Sequence, residues 1–346
     1  MFGSAQGLIA ASDAAREAAR LPPATREFLA CAASRPSTRE RAWLEDPRHS
    51  VVAFTDPGFP KLLRSARACP RALYVSGNPL SLSEPQLAVV GSRNPTAAGR
   101  DTAFEFSHYL AARGLAITSG LAQGIDSAAH RGAVAAQGVT VAVLGQGVDV
   151  VYPRGNRELR EAITRMGAVA SEFPLGAPPR REHFPQRNRI IAAMSLGTLV
   201  VEAACRSGSL ITARFAESEN RALFAVPGSI HNPLSRGCHE LIRRGAKLTE
   251  TPDDILSALN FSCCFEPCAP ADPGLKPAAN PVPGMDKDHK ILLDALGFDP
   301  ADLDVLVVRT GFKPEAVSSM MLILELEGHV QAAPGGRYSR VVRSRR

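Results

Sequence analysis

Short apolar runs alternate with amphipathic stretches through the middle of the chain, from about residue 86 to residue 226. The apolar runs predict strands at 87–90, 115–118, 139–144, 168–171, 198–202 and 222–226. The amphipathic stretches between most of them predict helices near 97–113, 124–137, 156–166, 187–195 and 208–219. Short buried strands that alternate with helices are typical of a sheet covered on both faces. The pattern therefore predicts an α/β domain over residues 55–260, with a doubly wound and mostly parallel sheet.

The segment before this domain has a different pattern. Residues 1–54 contain Ala- and Arg-rich helical stretches at 12–20 and 23–33, and no motif stands out in them. These stretches predict a short, partial helical module at the N-terminus.

Two further segments follow the α/β domain. Residues 261–285 hold six prolines and little periodicity, which is typical of a linker. Residues 286–346 show three helical patterns and then a hairpin around Pro334-Gly335-Gly336, and the helical patterns lie near 287–296, 301–310 and 313–327. Three helices and a hairpin predict a C-terminal winged-helix domain.

Composition and charge narrow the classes of protein. The net charge of +6 indicates an anionic partner, and arginine, which dominates the basic residues, suits bidentate contacts to phosphate. A GC-rich genome accounts equally well for the preference for arginine over lysine. No apolar run approaches the roughly 18–20 residues of a membrane span, and no secretion signal is recognised at the start. We therefore expect a cytoplasmic protein that does not enter a membrane.

The cysteines favour neither a disulfide framework nor a zinc site. There are seven of them, an odd number without a Cys-x-x-Cys pair. Cys263, Cys264 and Cys268 lie in the Pro-rich stretch without a histidine nearby. We therefore expect reduced thiols, no metal and no cofactor.

Polar loops follow six of the predicted strands. Because parallel strands end at the same edge of a sheet, these loops are expected to converge there. They are Gly91 to Thr96, Thr118 to Asp126, Gly145 to Pro153, Ser171 to Pro174, Glu202 with Ser207 to Ser209, and Val226 to Ser229. Gly and Ser also simply make tight turns. Six such loops at one edge, with Arg93 in the first, favour a site where backbone N–H groups bind phosphate. None matches a dinucleotide or Walker motif.

Residues 179–189 form the second strong signal. They place four arginines, His183 and Phe184 within eleven residues. Arginines bind phosphate oxygens, and an exposed aromatic ring is a platform for an unpaired base. The alternative is a solvated basic loop with Phe184 anchored in the core.

Acidic residues at the same edge are only weak evidence for catalysis or metal binding. Asp126 and His130 lie one helical turn apart, which fits an acid–base or metal pair. A helix-capping Asp beside a locally hydrogen-bonded His has the same spacing. Asp149, Glu172 and Glu202 add further acids, but no pairing of a nucleophile with a base follows from their positions. We therefore predict no catalytic residue.

Taken together, these loops resemble the DprA/Smf family, the DNA-processing proteins of bacterial transformation. The resemblance covers roughly residues 55–260 in order and spacing, and its motifs are very specific. The matching stretches are 91–96 with Gly99-Arg100, 118–126 with Ala129-His130, 145–149 with Tyr152-Pro153 and Asn156, 171–174, 184–191, 207–214, 226–228, and Leu241-Ile242 with Gly245-Ala246. The C-terminal winged helix is also similar to the family's. The N-terminus departs from the pattern, because family members usually begin with a complete helical module.

The resemblance implies a cytosolic homodimer with an extended Rossmann-like fold that binds single-stranded DNA in a positive pocket. It also implies protection of incoming strands and loading of RecA during natural transformation, without enzymatic activity. Carried onto this chain, the pocket arginine is Arg93 beside Ser92, and the Phe-Pro-x-Arg-Asn stretch and Lys247 add further contacts. The predicted DNA-binding residues are Gly91, Ser92, Arg93, Ser119, Gly120, Phe184, Arg187, Asn188, Arg189 and Lys247.

The main alternative is an enzyme, a nucleotide phosphoribohydrolase of the lysine-decarboxylase-like type. That family uses Pro-Gly-Gly-x-Gly-Thr followed closely by a glutamate. This chain has Glu202 without that motif, since its only Pro-Gly-Gly lies at 334–336 in the predicted hairpin. The absence of the motif disfavours this alternative.

The winged-helix region allows a separate inference from charge. Residues 286–336 contain four basic and nine acidic residues, and the predicted recognition helix at 313–327 is apolar and acidic. A helix that enters a DNA groove must neutralise phosphates. We therefore expect this module to dock onto protein rather than to read duplex DNA, which also disfavours a transcription regulator. The arginines from Arg337 onward can contact nucleic acid without sequence preference.

Overall fold

The computed structural model describes residues 11–23, 25–26, 38–261, 287–296, 300–333 and 335–341. By its internal contacts the chain divides into two compact units, residues 1–49 and 50–346. The first unit contains helices α1 (Asp13–Ala18) and α2 (Thr38–Leu44). Ser12 caps α1 by accepting a hydrogen bond from the Ala15 N–H. Most of the helix predicted at 23–33, and all but the first residue of the linker, lie outside the described residues.

The sheet domain consists of nine strands and eight helices in the described part of the chain. The strands are β1 (His49–Ala53), β2 (Ala72–Gly77), β3 (Gln86–Val90), β4 (Ala116–Ser119), β5 (Thr140–Val143), β6 (Ala168–Ser171), β7 (Gly197–Val200), β8 (Ala222–Ala225) and β9 (Lys247–Leu248). The helices are α3 (Lys61–Arg64), α4 (Ala97–Ala112), α5 (Ile125–Ala135), α6 (Arg157–Met166), α7 (His183–Met194), α8 (Ser209–Ser218), α9 (Arg236–Arg243) and α10 (Pro252–Leu259).

The strand order is β1-β2-β6-β5-β4-β3-β7-β8-β9. Strands β3 to β9 pair in parallel with their neighbours, whereas β2 pairs antiparallel with β6. The chain runs outward from β3 through β4, β5 and β6, and then returns to the other side of β3 at β7. The switch point of the sheet therefore lies between β3 and β7, where the loops after the two strands define a crevice. The prediction of a doubly wound, mostly parallel sheet is confirmed.

Both faces of the sheet are buried, which explains why its strands are almost wholly apolar. Along β3, Ala88 and Val90 face a core formed with α7, α8 and α9. Leu87 and Val89 face the opposite core, formed with α4, α5 and α10. Alternate residues of one strand therefore belong to different cores, because side chains point to opposite faces at successive positions.

The C-terminal module is a winged helix. It consists of α11 (Lys287–Leu296), β10 (Ala301–Asp302), α12 (Leu303–Thr310), α13 (Pro314–Leu326), β11 (Val330–Ala333) and β12 (Arg337–Arg340). The three strands form a small sheet in the order β10-β12-β11 around a core of its own. Strand β10 was not predicted, because two residues are too few to show a period. No helix in the described ranges is long and apolar enough to span a bilayer.

We expect the substitution Gly132→Ala to destabilise the sheet domain. Gly132 lies in α5 at its closest approach to α4, where an added Cβ would clash with the carbonyl oxygen of Phe104. Overpacking of this kind costs about 1–3 kcal/mol, because the two helices must move apart. Urea denaturation followed by circular dichroism measures the change. Gly58→Ala is the control, since a Cβ at Gly58 meets no atom within 4 Å. Equal stability of the two variants would contradict the close helix packing.

Candidate functional site

The loop after β3 is held by the end of β7, through Glu202. The Ser92 N–H donates to the carbonyl oxygen of Glu202 at 2.7 Å. The Thr96 N–H and hydroxyl donate to the two carboxylate oxygens of Glu202, at 2.9 and 2.6 Å. Glu202 is only 7% exposed, and its carboxylate lies so close to Gly99 that any side chain at that position would clash. These bonds fix residues 91–96 at the switch point of the sheet.

The Glu202 carboxylate also changes the interpretation of this loop as a phosphate cradle. It lies at the N-terminus of α4, where Thr96 caps the helix by accepting from the Gly99 N–H at 3.0 Å. A helix N-terminus favours a negative charge. In this protein an internal carboxylate supplies that charge, so the anion site predicted from backbone N–H groups is occupied by the chain itself. The exposed charge that the loop offers to a ligand is the side chain of Arg93.

The loop after β4 lies beneath the Arg93 loop rather than beside it. The Ile125 N–H donates to the carbonyl oxygen of Ser92 at 3.1 Å. The hydroxyl of Ser119 is fully buried and donates to the Val89 carbonyl oxygen at 2.6 Å. The Gly120 N–H donates to the Asp126 carboxylate at 3.2 Å. Ser119 and Gly120, both predicted as DNA contacts, are buried in this structure, where they support the loop from below.

Arg187 is likewise an internal residue. Its side chain lies in α7 and is only 3% exposed, and its guanidinium donates to the Val143 carbonyl oxygen. Gly120 packs directly on this guanidinium, so a side chain at that position would clash. Arg187 was predicted as a DNA contact, and in this structure its side chain is buried. Residues 179–182 of the basic stretch precede α7, whereas residues 183–189 form the first half of this helix, in which position 187 faces the sheet.

Arg187 and Asp126 form a buried pair of opposite charges. Burial lowers the pKa of Arg187 to about 10, and the Asp126 carboxylate opposes this shift. Burial also raises the pKa of Asp126, while the Arg187 charge and the loop N–H groups oppose that change. Each charge therefore compensates for the lost hydration of the other. The pair links the loop after β4 to α7, directly below Arg93.

The structure brings Arg93 and Phe184 together, as predicted. The guanidinium of Arg93 lies over the Phe184 ring, 5.2 Å from its centroid. Such cation–π contacts contribute about 0.5–1 kcal/mol at exposed sites. The ring is half-buried against Gly145, and Tyr152 lies beside it with 6.1 Å between ring centroids. Tyr152 was noted only as part of the family motif and not as a site residue. Its exposure could not be read from the sequence.

Two other predicted contacts, Asn188 and Arg189, have partners within the chain. Asn188 donates to the Gly208 carbonyl oxygen at 3.4 Å. Arg189 forms an ion pair with Glu172 and also donates to the Ala68 carbonyl oxygen. Burial raises the pKa of Glu172, and Arg189 opposes that change.

Lys247 is not part of the same cluster. It lies on the edge strand β9, and its Nζ donates to the Asp254 carbonyl oxygen at 3.3 Å. Strand β9 is three strands from β3, or about 14 Å at the usual strand spacing. The structure therefore does not bring Lys247 together with Arg93.

His130 is buried and neutral. The Thr140 hydroxyl donates to the Ile117 carbonyl oxygen at 2.7 Å, so the 2.7 Å contact between His130 Nδ1 and that hydroxyl requires Nδ1 to donate. The other ring nitrogen, Nε2, is buried without a partner. Burial, together with the charge of Arg187, lowers the pKa of His130 to about 3. Of the two interpretations of Asp126 and His130, the structure therefore supports local hydrogen bonding over an acid–base or metal pair. Asp126 accepts from the N–H groups of its loop.

The remaining acids also have structural partners. Asp149 accepts from the Gly176 N–H at 2.7 Å. Across the ranges that the structure describes, no group of three or more His, Cys, Asp and Glu side chains is arranged to hold a metal ion. The acids at this edge thus act mainly as acceptors that fix loops.

Comparisons with known families agree with the geometry. The family described as DNA recombination-mediator protein A matches residues 50–260, and the DprA winged helix domain matches residues 276–336. Protein Smf of Escherichia coli (strain K12) is 42% identical over 299 residues, which cover 85% of this chain and 78% of that protein. DNA processing protein DprA of Streptococcus pneumoniae is 44% identical over 215 residues, which cover 62% of this chain and 75% of that protein.

Two solved structures are similar as well. The X-ray structure of DNA processing protein A from Streptococcus pneumoniae has a TM-score of 0.62 and 38% identity, covering 68% of this chain and 82% of that one. The corresponding protein from Helicobacter pylori, described with a single-stranded DNA binding mode, has a TM-score of 0.56 and 27% identity. That match covers 62% of this chain and 96% of the other.

His130 makes the stability of the sheet domain depend on pH. Its pKa is about 3 in the folded chain and about 6.5 when unfolded. The unfolded chain therefore takes up the proton first, and the free energy of unfolding falls as the pH drops from about 6.5 towards 3. The slope from this group approaches about 1.4 kcal/mol per pH unit. In His130→Leu this part of the slope is lost, as measured by urea denaturation at several pH values.

The exposed His231 provides the control, because His231→Leu leaves the buried imidazole in place. Asp126 contributes to the pH dependence of stability with the opposite sign, since its raised pKa stabilises the folded chain at acid pH. An unchanged pH slope in His130→Leu would show that His130 does not remain neutral in the folded protein.

Proposed function

The chain belongs to the DprA/Smf family, and from that premise we propose that it binds single-stranded DNA as a recombination mediator. In this role it protects incoming strands and loads RecA onto them during natural transformation, in the cytoplasm. The observation that carries the proposal is the exposed Arg93 on a rigid loop, with its guanidinium over Phe184 and Tyr152 adjacent. The single-stranded DNA binding mode described for the Helicobacter pylori relative supports it.

The arrangement of this edge suits a polymer better than a small cofactor. A nucleotide held at a helix N-terminus needs free N–H groups, and here Glu202 accepts from Thr96 at that position. The exposed groups include the Arg93 guanidinium beside aromatic rings, which is the combination that binds the backbone and the unpaired bases of a single strand. This observation weighs against the nucleotide-cleaving alternative.

We propose that binding occurs without catalysis. Asp126, Asp149, Glu172 and Glu202 each accept hydrogen bonds that fix the loops. An acid–base catalyst must instead reach a substrate proton. The engagement of all four carboxylates supports a binding protein.

We further propose that the protein works as a homodimer and that RecA is its protein partner. Strand β9 lies at an edge of the sheet, and its Leu248 is 45% exposed. An exposed edge strand is suited to pairing with a second chain. This feature supports dimerisation through the β9 edge.

The winged helix fits a protein-docking role. The outer face of α13 exposes Leu322, Ile323 and Leu326, with Glu315 and Glu325 on the same helix. A helix that binds a DNA groove needs basic side chains to neutralise phosphates, and this face has none. We propose that the module contacts protein rather than duplex DNA.

Arg93→Ala is expected to weaken binding of oligothymidylate at least tenfold, or about 1.4 kcal/mol. The reason is the loss of the exposed charge beside Phe184. Fluorescence anisotropy over a salt series should also show a log–log slope reduced by about 0.7, because one phosphate contact is lost.

The matched control for this variant is Arg131→Ala, which removes an exposed arginine from α5. It should leave both affinity and slope unchanged. If a folded Arg93→Ala protein binds single strands normally, the assignment of this surface is wrong.

Deleting residues 286–346 should leave the affinity for single-stranded DNA within about tenfold of the full chain. The reason is that Arg93, Phe184 and Tyr152 all belong to the sheet domain, which has cores of its own. Competition between single-stranded and duplex DNA, measured for both forms, checks the result. A loss much greater than tenfold would assign DNA binding to the C-terminal module.

A further inference from the structure

Tyr152 is the most exposed ring of the aromatic cluster beside Arg93. Its exposed fraction is 43%, whereas Phe184, Phe173 and His183 are half-buried. One side of Phe184 is covered by the Arg93 guanidinium, at 5.2 Å from the ring centroid. A base that approaches from solvent therefore reaches Tyr152 without displacing Arg93.

The backbone of Tyr152 is held in place by buried polar groups. The Gln146 side-chain amide, which is almost fully buried, donates to the Tyr152 carbonyl oxygen at 3.2 Å. The carbonyl oxygen of Gln146 in turn accepts from the Ser171 hydroxyl at 2.6 Å. Further along, Asn156 donates to the Leu121 carbonyl oxygen at 3.0 Å and to the Ser127 hydroxyl at 2.8 Å. The loop after β5 is thus fixed to the loops after β4 and β6, so stacking on Tyr152 costs little ordering entropy.

An exposed arginine follows two positions later. Arg154 begins the short 3₁₀ turn Arg154–Asn156. Within the described part of the chain, no carboxylate lies within ion-pairing distance of its guanidinium. Arg154 therefore offers a charge that no internal partner neutralises.

We propose that Tyr152 and Arg154 form a second nucleotide subsite, next to the pair of Arg93 and Phe184. An unpaired base stacks on the Tyr152 ring, and a phosphate of the same strand contacts Arg154. Every base has a π-face, so a platform of this kind accepts any sequence. The subsite rests on the proposed function and extends it, because it adds a base contact to a surface whose other exposed group is a single guanidinium.

The direct test is photocrosslinking of the full chain to an oligothymidylate that carries one 5-iododeoxyuridine. Irradiation joins this base to an aromatic ring stacked on it, and mass spectrometry of the peptides identifies the residue. The expected adduct is on Tyr152. Adducts confined to Phe184 or to other residues would overturn the proposal, and this readout needs no variant.

Binding of the same oligonucleotide to variants gives a second readout. Tyr152→Leu should weaken binding about 10- to 100-fold, or about 1.4 to 2.8 kcal/mol, with an unchanged salt slope, because a stacking contact but no charge is lost. Tyr152→Phe should bind within about twofold of the unmodified chain, because the ring is retained. Arg154→Ala should instead lower the slope by about 0.7.

Phe104→Leu is the matched control, since Phe104 is 37% exposed but lies on α4, stacked with His108. Normal binding by Tyr152→Leu, together with strong and Arg93-dependent binding by the unmodified chain, would overturn the subsite alone. Failure of the unmodified chain to bind single strands would overturn the proposed function and the subsite with it.

Discussion

The contact of Glu202 with Thr96 determines what the candidate site can offer a ligand. Both carboxylate oxygens accept from Thr96, and the carboxylate occupies the N-terminus of α4. This places a charge from β7 where a ligand anion would otherwise bind, and it joins the two strands that flank the switch point. Gly99 is required because the carboxylate fills the space of a side chain. The loop therefore exposes Arg93 instead of a ring of N–H groups.

The buried pair of Arg187 and Asp126 supports the same loop from below. Taking two charges out of water is costly, and the cost is offset only when each has a partner of opposite sign and hydrogen bonds. Here the Arg187 guanidinium also donates to the Val143 carbonyl, while Asp126 accepts from the Gly120 N–H. The pair therefore holds β5, α7 and the loop after β4 in one arrangement beneath Arg93.

The sequence predicts the sheet and the meeting of Arg93 with Phe184, because parallel strands end at one edge and bring their loops together. The sequence does not predict the burial of Ser119, Gly120 and Arg187, since glycine, serine and arginine occur in both exposed and buried positions. The helix predicted at 187–195 already places Arg187, Ile190, Ile191 and Met194 on one face, and that face is buried. The distance of Lys247 from Arg93 was not predictable for a different reason, because motif order does not reveal that β9 lies three strands from β3.

The contacts of the buried acids Glu202 and Asp126 determine which groups are internal and which are exposed. Groups that fix the loops are internal, and the groups that reach solvent include the guanidinium groups of Arg93 and Arg154 and the ring of Tyr152. Neither reads the hydrogen-bonding edge of a base, since a guanidinium beside aromatic rings contacts phosphate and π-faces. Loops that are fixed by internal hydrogen bonds and expose only guanidinium groups and aromatic rings are suited to bind strands of many sequences with the same geometry. That property fits the proposed binding of single-stranded DNA without sequence preference.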